Sequence, residues 1–135
     1  YAEVCRRAEN LLPGGVPVVV DGAFKYQNER LPVIEAAQRA DARLIFIQTV
    51  CEFDEQRRRL EKRQQHDTRS DGRVELMEHQ RADFESPNPD YAELFHTVST
   101  DGPKPQTRNI VEELLRSEGL MPERRSKSRS SDFRP

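Results

Sequence analysis

The chain has 135 residues, of which 34% are hydrophobic and 34% charged, with no Trp. That is enough for one domain, and an apolar supply below the roughly 45–50% of an average globular domain predicts a thin core with some solvated length. A net charge of −2, from 22 basic and 24 acidic residues, supplies no field to draw nucleic acid or a membrane to the whole molecule.

No window approaches the roughly 18 consecutive apolar residues of a membrane span. The start, Tyr1, Ala2, Glu3, Val4, shows neither an initiator Met nor a signal-type apolar stretch, so the chain reads as cytoplasmic and as part of something longer. Two cysteines, Cys5 and Cys51, cannot make the disulfide framework of a secreted domain, which agrees with a reducing compartment.

In chain order, Val4, Cys5, Ala8, Leu11 and Leu12 recur at helical spacing and stop at Pro13, Gly14 and Gly15. Val16, Pro17, Val18, Val19 and Val20 follow without polar alternation, the pattern of a strand buried on both faces of a parallel sheet. Helical period returns over 28–41 through Leu31, Ile34, Ala37 and Ala40, with Pro32 placed in the first turn. Leu44, Ile45, Phe46 and Ile47 then rebuild an apolar strand that ends at Thr49, Val50 and Cys51. Strand, helix, strand is one βαβ unit, with the right-handed crossover such units have.

A helix of extreme charge density over 54–65 surrounds the lone aliphatic Leu60, and a second charged helix is expected over 73–84, through Val74, Met77 and Phe84. Phe95, His96, Thr97, Val98 and Ser99 read as a third parallel strand, with a turn at Asp101, Gly102 and Pro103. Ile110, Val111, Leu114 and Leu115 mark a last amphipathic helix ending near Gly119. Residues 119–135 read as a disordered basic tail, carrying five basic residues against two acidic ones, so the organisation is a domain over 1–118 followed by that tail.

Two constellations could carry chemistry. Asp21 stands at the carboxyl end of an expected parallel strand, where open α/β sheets place their ligand crevice and a carboxylate can hold the water shell of a magnesium ion. The alternative is a turn, since Asp-Gly is a common turn pair. Arg59 and Arg63 lie four apart on one helical face, with Arg69 and Arg73 flanking a Ser-Asp-Gly bend, and guanidinium forks of this kind suit closure over phosphates. Against that stands a solvated helix laced with pairs such as Glu55 to Arg59. His66, His79 and His96 share no ligand spacing with each other or with the cysteines, so no zinc site is expected. Cys51 at a strand end reads as a small buried hydrophobe before it reads as a nucleophile.

Val18, Val19, Val20, Asp21, Gly22, Ala23 and Phe24, with Arg30 following, resemble a segment of the small ATP-dependent P-loop kinases, the AAA-type ATP-binding proteins related to polynucleotide kinases and zeta toxins. That type is also found fused to aminoglycoside-phosphotransferase-like domains. The stretch 44–51 with Glu52, Arg59 and Arg63 is similar to that group's fourth strand and arginine-bearing lid. The lid would span about 52–86 and return through Arg73, Gln80 and Phe84. The stretch 96–102 resembles the last strand and nucleotide-base loop.

The resemblance implies a partial three-layer P-loop fold. It also implies ATP and magnesium as cofactors, with a small molecule or a nucleic-acid end as phosphate acceptor. On it, Asp21 would support the metal through water, Arg59, Arg63 and Arg73 would act on the transferring phosphate, and Thr100, Gly102 and Pro103 would border the nucleotide base. The chain departs from the group in one respect, since nowhere is there a G-x-x-x-x-G-K followed by Ser or Thr. The expectation is therefore the carboxy-terminal part of such a kinase or ATPase, inactive in isolation and open to fusion with an upstream domain. The alternative is a non-catalytic binding or regulatory module of the same fold.

Overall fold

The computed structural model describes residues 1–66 and 82–122. The expected return helix over 73–84 and residues 123–135 of the tail lie wholly or largely outside them. Helix α1 is Ala2–Leu11, closed by a 3-10 turn at Leu12–Gly14 that ends on Gly15 at φ 69°. Only part of its apolar stripe is covered: Cys5 is buried, while Val4 and Leu11 stay exposed. Helix α2, Gln27–Arg39, packs against α1 and contributes Ile34, Ala36 and Ala37 to the core, and Arg39 reaches across to Glu9 at 2.6 Å. Pro32 falls in the second turn of α2, one turn later than the sequence pattern placed it, so the carbonyl of Asn28 lacks its regular donor four residues on.

Strands β1, Phe46–Val50, and β2, Phe95–Ser99, form a two-stranded parallel sheet with Phe46 opposite Phe95 and Val50 opposite Ser99. A connection of this length between parallel neighbours is expected to contain a helix, and α3, Phe53–His66, lies within it. A 3-10 segment, Pro89–Leu94, leads directly into β2. Helix α4, Lys104–Ser117, packs on β2 over the buried Val98. It stops in a Schellman motif, where Gly119 at φ 68° donates to Arg116 O at 2.9 Å and Leu120 N to Leu115 O at 2.7 Å.

The expected strand over 16–21 is not one. Residues 16–20 take no regular secondary structure and make no backbone hydrogen bond to any described residue, and Val19 is 92% exposed. Their inner side chains, Val18 and Val20, face a small, largely apolar groove of about 70 Å³ whose other walls include Cys5, Ala8, Ala36 and Leu44. A β-branched run supplies strand propensity, but a strand also needs a neighbouring ladder, and neither β1 nor β2 provides it. The two halves are joined by aromatics. Tyr1 lies 4.5 Å from Phe24, Phe24 is 6.4 Å edge-on from Phe46, and Phe46 stacks on Phe95 at 4.6 Å.

Candidate functional site

Because β1 and β2 are parallel, the residues that follow them, Cys51–Glu52 and Thr100–Asp101, emerge at the same edge of the sheet. Helix α3 starts there. Its first free backbone donor region is capped from the other strand, since Glu52 N donates to Asp101 Oδ1 at 2.8 Å, and Ser99 Oγ donates to the second carboxylate oxygen at 2.7 Å. These donors, with the Cys51 thiol, hold the Asp101 carboxyl below its usual range. The loop is drawn back onto the sheet by Thr100, whose N and Oγ1 both donate to Val50 O, at 2.8 and 3.0 Å.

Arg59, two turns into α3, completes this edge. Its Nη2 donates to Thr100 O at 2.5 Å and its Nη1 to Thr100 Oγ1 at 3.2 Å, while Nε donates to Glu55 Oε1 at 2.7 Å. Glu55 is shared with Arg58, which forks onto both carboxylate oxygens at 2.7 Å. Between the two guanidinium groups the Glu55 carboxyl is lowered to about 2. Burial and the adjoining Asp101 carboxylate push the Cys51 thiol up, so Cys51 is a poor thiolate.

Of the sequence-derived residues, the structure brings Arg59 and Thr100 into direct contact. Gly102 lies beside them, close under the Gln106 side chain, where an added Cβ would come within 2.5 Å of it. Pro103 opens α4. Arg63 is exposed one turn beyond Arg59 and has no hydrogen-bond or ion-pair partner among the described residues. Arg73 lies outside the described residues. Asp21 is exposed, and no hydrogen bond joins it to Arg59, Arg63 or Thr100. The Phe24 ring three residues on is anchored on Phe46, the first residue of β1, at the far end of that strand from Thr100. Among the described residues no group of three His, Cys, Asp or Glu side chains could hold a metal ion, and no helix is long and apolar enough to cross a membrane.

One residue of consequence was visible in the sequence only as a member of a motif. Arg30 is 3% exposed, and it donates through Nε to Phe24 O at 2.7 Å and through Nη2 to Lys25 O at 2.6 Å. Its guanidinium lies 4.5 Å from the Phe84 ring centre and 5.6 Å from that of Phe95. Burial lowers its pKa, against the attraction of Glu85 and Glu29. An arginine in the first turn of a helix carries no pattern that distinguishes a buried one from a solvated one.

Compared with known proteins, the chain matches no family model, no curated protein and no solved structure. What is established is a small mixed α/β domain with a two-stranded parallel sheet.

Proposed function

We propose that the chain is the carboxy-terminal part of an ATP- and magnesium-dependent P-loop kinase or ATPase acting on a small molecule or a nucleic-acid end. The observation that carries this reading is the contact of Arg59, on the charged helix α3, with Thr100 in the loop after β2, at the carboxyl edge of a parallel strand pair. Parallel α/β sheets bind ligands at that edge, and an arginine-rich helix there can neutralise charge that develops on a transferring phosphoryl group.

On this reading the roles divide. Arg59 is a positioning residue that ties the lid helix to the base-bordering loop of Thr100, Gly102 and Pro103. Arg63, free of partners among the described residues, is the clamp, aided by Arg73. Asp21 is not brought to this edge, and its support of the magnesium through water rests on the resemblance alone.

Isothermal titration with magnesium and ATP tests it. The chain alone should bind ATP negligibly, since no glycine-rich loop cradles the β- and γ-phosphates. A longer form of the protein that carries a phosphate loop should bind with a Kd on the order of 10 μM, within the ordinary range for nucleotide enzymes. Binding of that strength by the chain alone, or an upstream coding sequence with no strand and no G-x-x-x-x-G-K, overturns the reading.

A further inference from the structure

The backbone at Phe24 sits at φ 41°, in the left-handed region that a bulky side chain avoids. Such a conformation persists only where the surroundings over-determine it. Here the restraint comes from the buried Arg30, which takes the carbonyls of both Phe24 and Lys25.

The same guanidinium faces a second segment, distant in sequence. Phe84 lies over Arg30, and the residue after it, Glu85, is bound at both ends: its N–H donates to Lys25 O at 2.9 Å, and its Oε2 accepts from Gln27 N at 2.6 Å. Gln27 Nε2 adds a longer bond to Ser86 O at 3.4 Å. Lys25 O therefore receives one donor from Arg30 and one from Glu85. The Glu85 carboxylate also satisfies an amide at the start of α2, where negative charge is favoured.

We propose that the strap of residues 84–86 and the loop of residues 21–25 form one coupled conformational device, with Arg30 as its pivot. While the strap is seated, Arg30 and Glu85 together hold Lys25 O and keep Phe24 in its strained conformation. When the strap lifts, Lys25 O loses the Glu85 donor, and Arg30 loses the Phe84 ring over one side and the carboxylate charge that offsets its burial. Phe24 then relaxes, and the turn at Asp21 and Gly22 moves with it. The rings of Phe24 and Tyr1 close over Gly22 on the side where a Cβ would stand, each 3.0 Å from that position, so rotation of Phe24 changes what packs against this turn. The device does not depend on the nucleotide reading; if that reading holds, it links one end of the lid to the residue assigned to the metal.

Nitrogen–proton correlation NMR on the full chain tests the coupling. Glu85→Ala removes the carboxylate that accepts from Gln27 N, and Phe84→Leu removes the ring over Arg30; no hydrogen bond or ring contact joins either side chain to residues 21–23. Both variants are expected to shift the amide resonances of Gly22, Ala23 and Phe24, with those of α4 unmoved, and Phe84→Tyr, which keeps the ring, is expected to leave them in place. Changes confined to residues 25–31 and 83–88 overturn the coupling. Loss of the α4 and β2 resonances in both variants overturns it as well, because the strap would then be part of the stability of the whole domain rather than a local device.

Discussion

The guanidinium of Arg59 closes on Thr100 through two hydrogen bonds, one to the backbone carbonyl and one to the hydroxyl, and the same hydroxyl donates to Val50 O. One side chain thus joins helix α3 to the ends of both strands. Arg59 and Arg63, alike in the sequence, differ here in kind: the first is committed to the fold and the second is exposed.

Arg59→Ala is therefore expected to lower the stability of the chain by about 1–2 kcal/mol, the range for losing charge-assisted hydrogen bonds at a half-exposed site. Arg63→Ala and Arg57→Ala should each change it by less than about 0.5 kcal/mol, as exposed helix arginines do. Chemical denaturation of the three variants checks this. In an intact enzyme with the proposed activity, Arg63→Ala should lower kcat more than it raises KM for ATP. Equal stability losses for Arg59 and Arg63 would show that the Thr100 contact is not what distinguishes them.

The Glu55 carboxyl, lowered from 4.5 to about 2 by Arg58 and Arg59, gives the same junction a pH dependence. A carboxyl whose folded pKa is depressed stabilises the fold above its unfolded value and loses that contribution as pH falls toward the folded value. Asp101, lowered by Ser99, the Glu52 amide and Cys51, acts in the same direction. Thermal unfolding followed by circular dichroism should show stability falling between about pH 4.5 and 2, and Glu55→Gln should flatten that decline. An unchanged profile in Glu55→Gln would place the acid-labile groups elsewhere.

How far the sequence carries this fold depends on whether the determinant is local. The alternation-free run through Phe46 and Ile47, the segment Phe95 to Ser99 and the glycine stop at Gly119 are local signals, and each element forms on its pattern, although β1 begins at Phe46 and leaves Leu44 and Ile45 outside the strand. Residues 16–20 carry an equally strong local signal, but strand formation there requires a neighbour that no local pattern supplies. The Arg30 pivot was illegible for a related reason: its partners Phe84 and Glu85 are more than fifty residues away, and only burial separates it from the other arginines. Helical spacing placed Arg59 and Arg63 on one face, while the loop that captures only Arg59 comes from beyond β2.

Gly119 tests the closing motif of α4. It holds φ 68°, and a Cβ there would lie 3.3 Å from Arg43 Nη1. Arg43 in turn pairs with Glu118 at 3.0 Å, the carboxylate whose other oxygen lies 3.6 Å from His96 Nε2. Gly119→Ala should therefore cost about 1–2 kcal/mol, from left-handed backbone strain together with displacement of Arg43. Gly119→Asn, which tolerates the left-handed region better, should cost less. Denaturation midpoints of the two variants check the order, and the reverse order would mean that the Arg43 contact outweighs the backbone.

The last expectation concerns the unpaired segment. Residues 16–20, a β-branched run, have no ladder partners among the described residues, Val16 and Val19 are exposed, and the inner groove is walled mostly by apolar side chains. An apolar extended edge is a template for pairing with another chain, and proteins blunt such edges with lysine or with proline. Here only Pro17 serves that purpose, removing a single donor from the segment. Among the described residues the core has little reserve, resting on Cys5, Ile34, Ala36, Ala37 and Val98. The chain is therefore expected to associate with rising concentration in size-exclusion chromatography. Val19→Lys should suppress association without loss of stability, because a side chain that is 92% exposed contributes almost no burial to the folded monomer. Ile34→Ala, at a buried position, should instead cost about 2–4 kcal/mol. A monomer at every concentration, with Val19→Lys indistinguishable from the parent chain, would show that the segment is not adhesive.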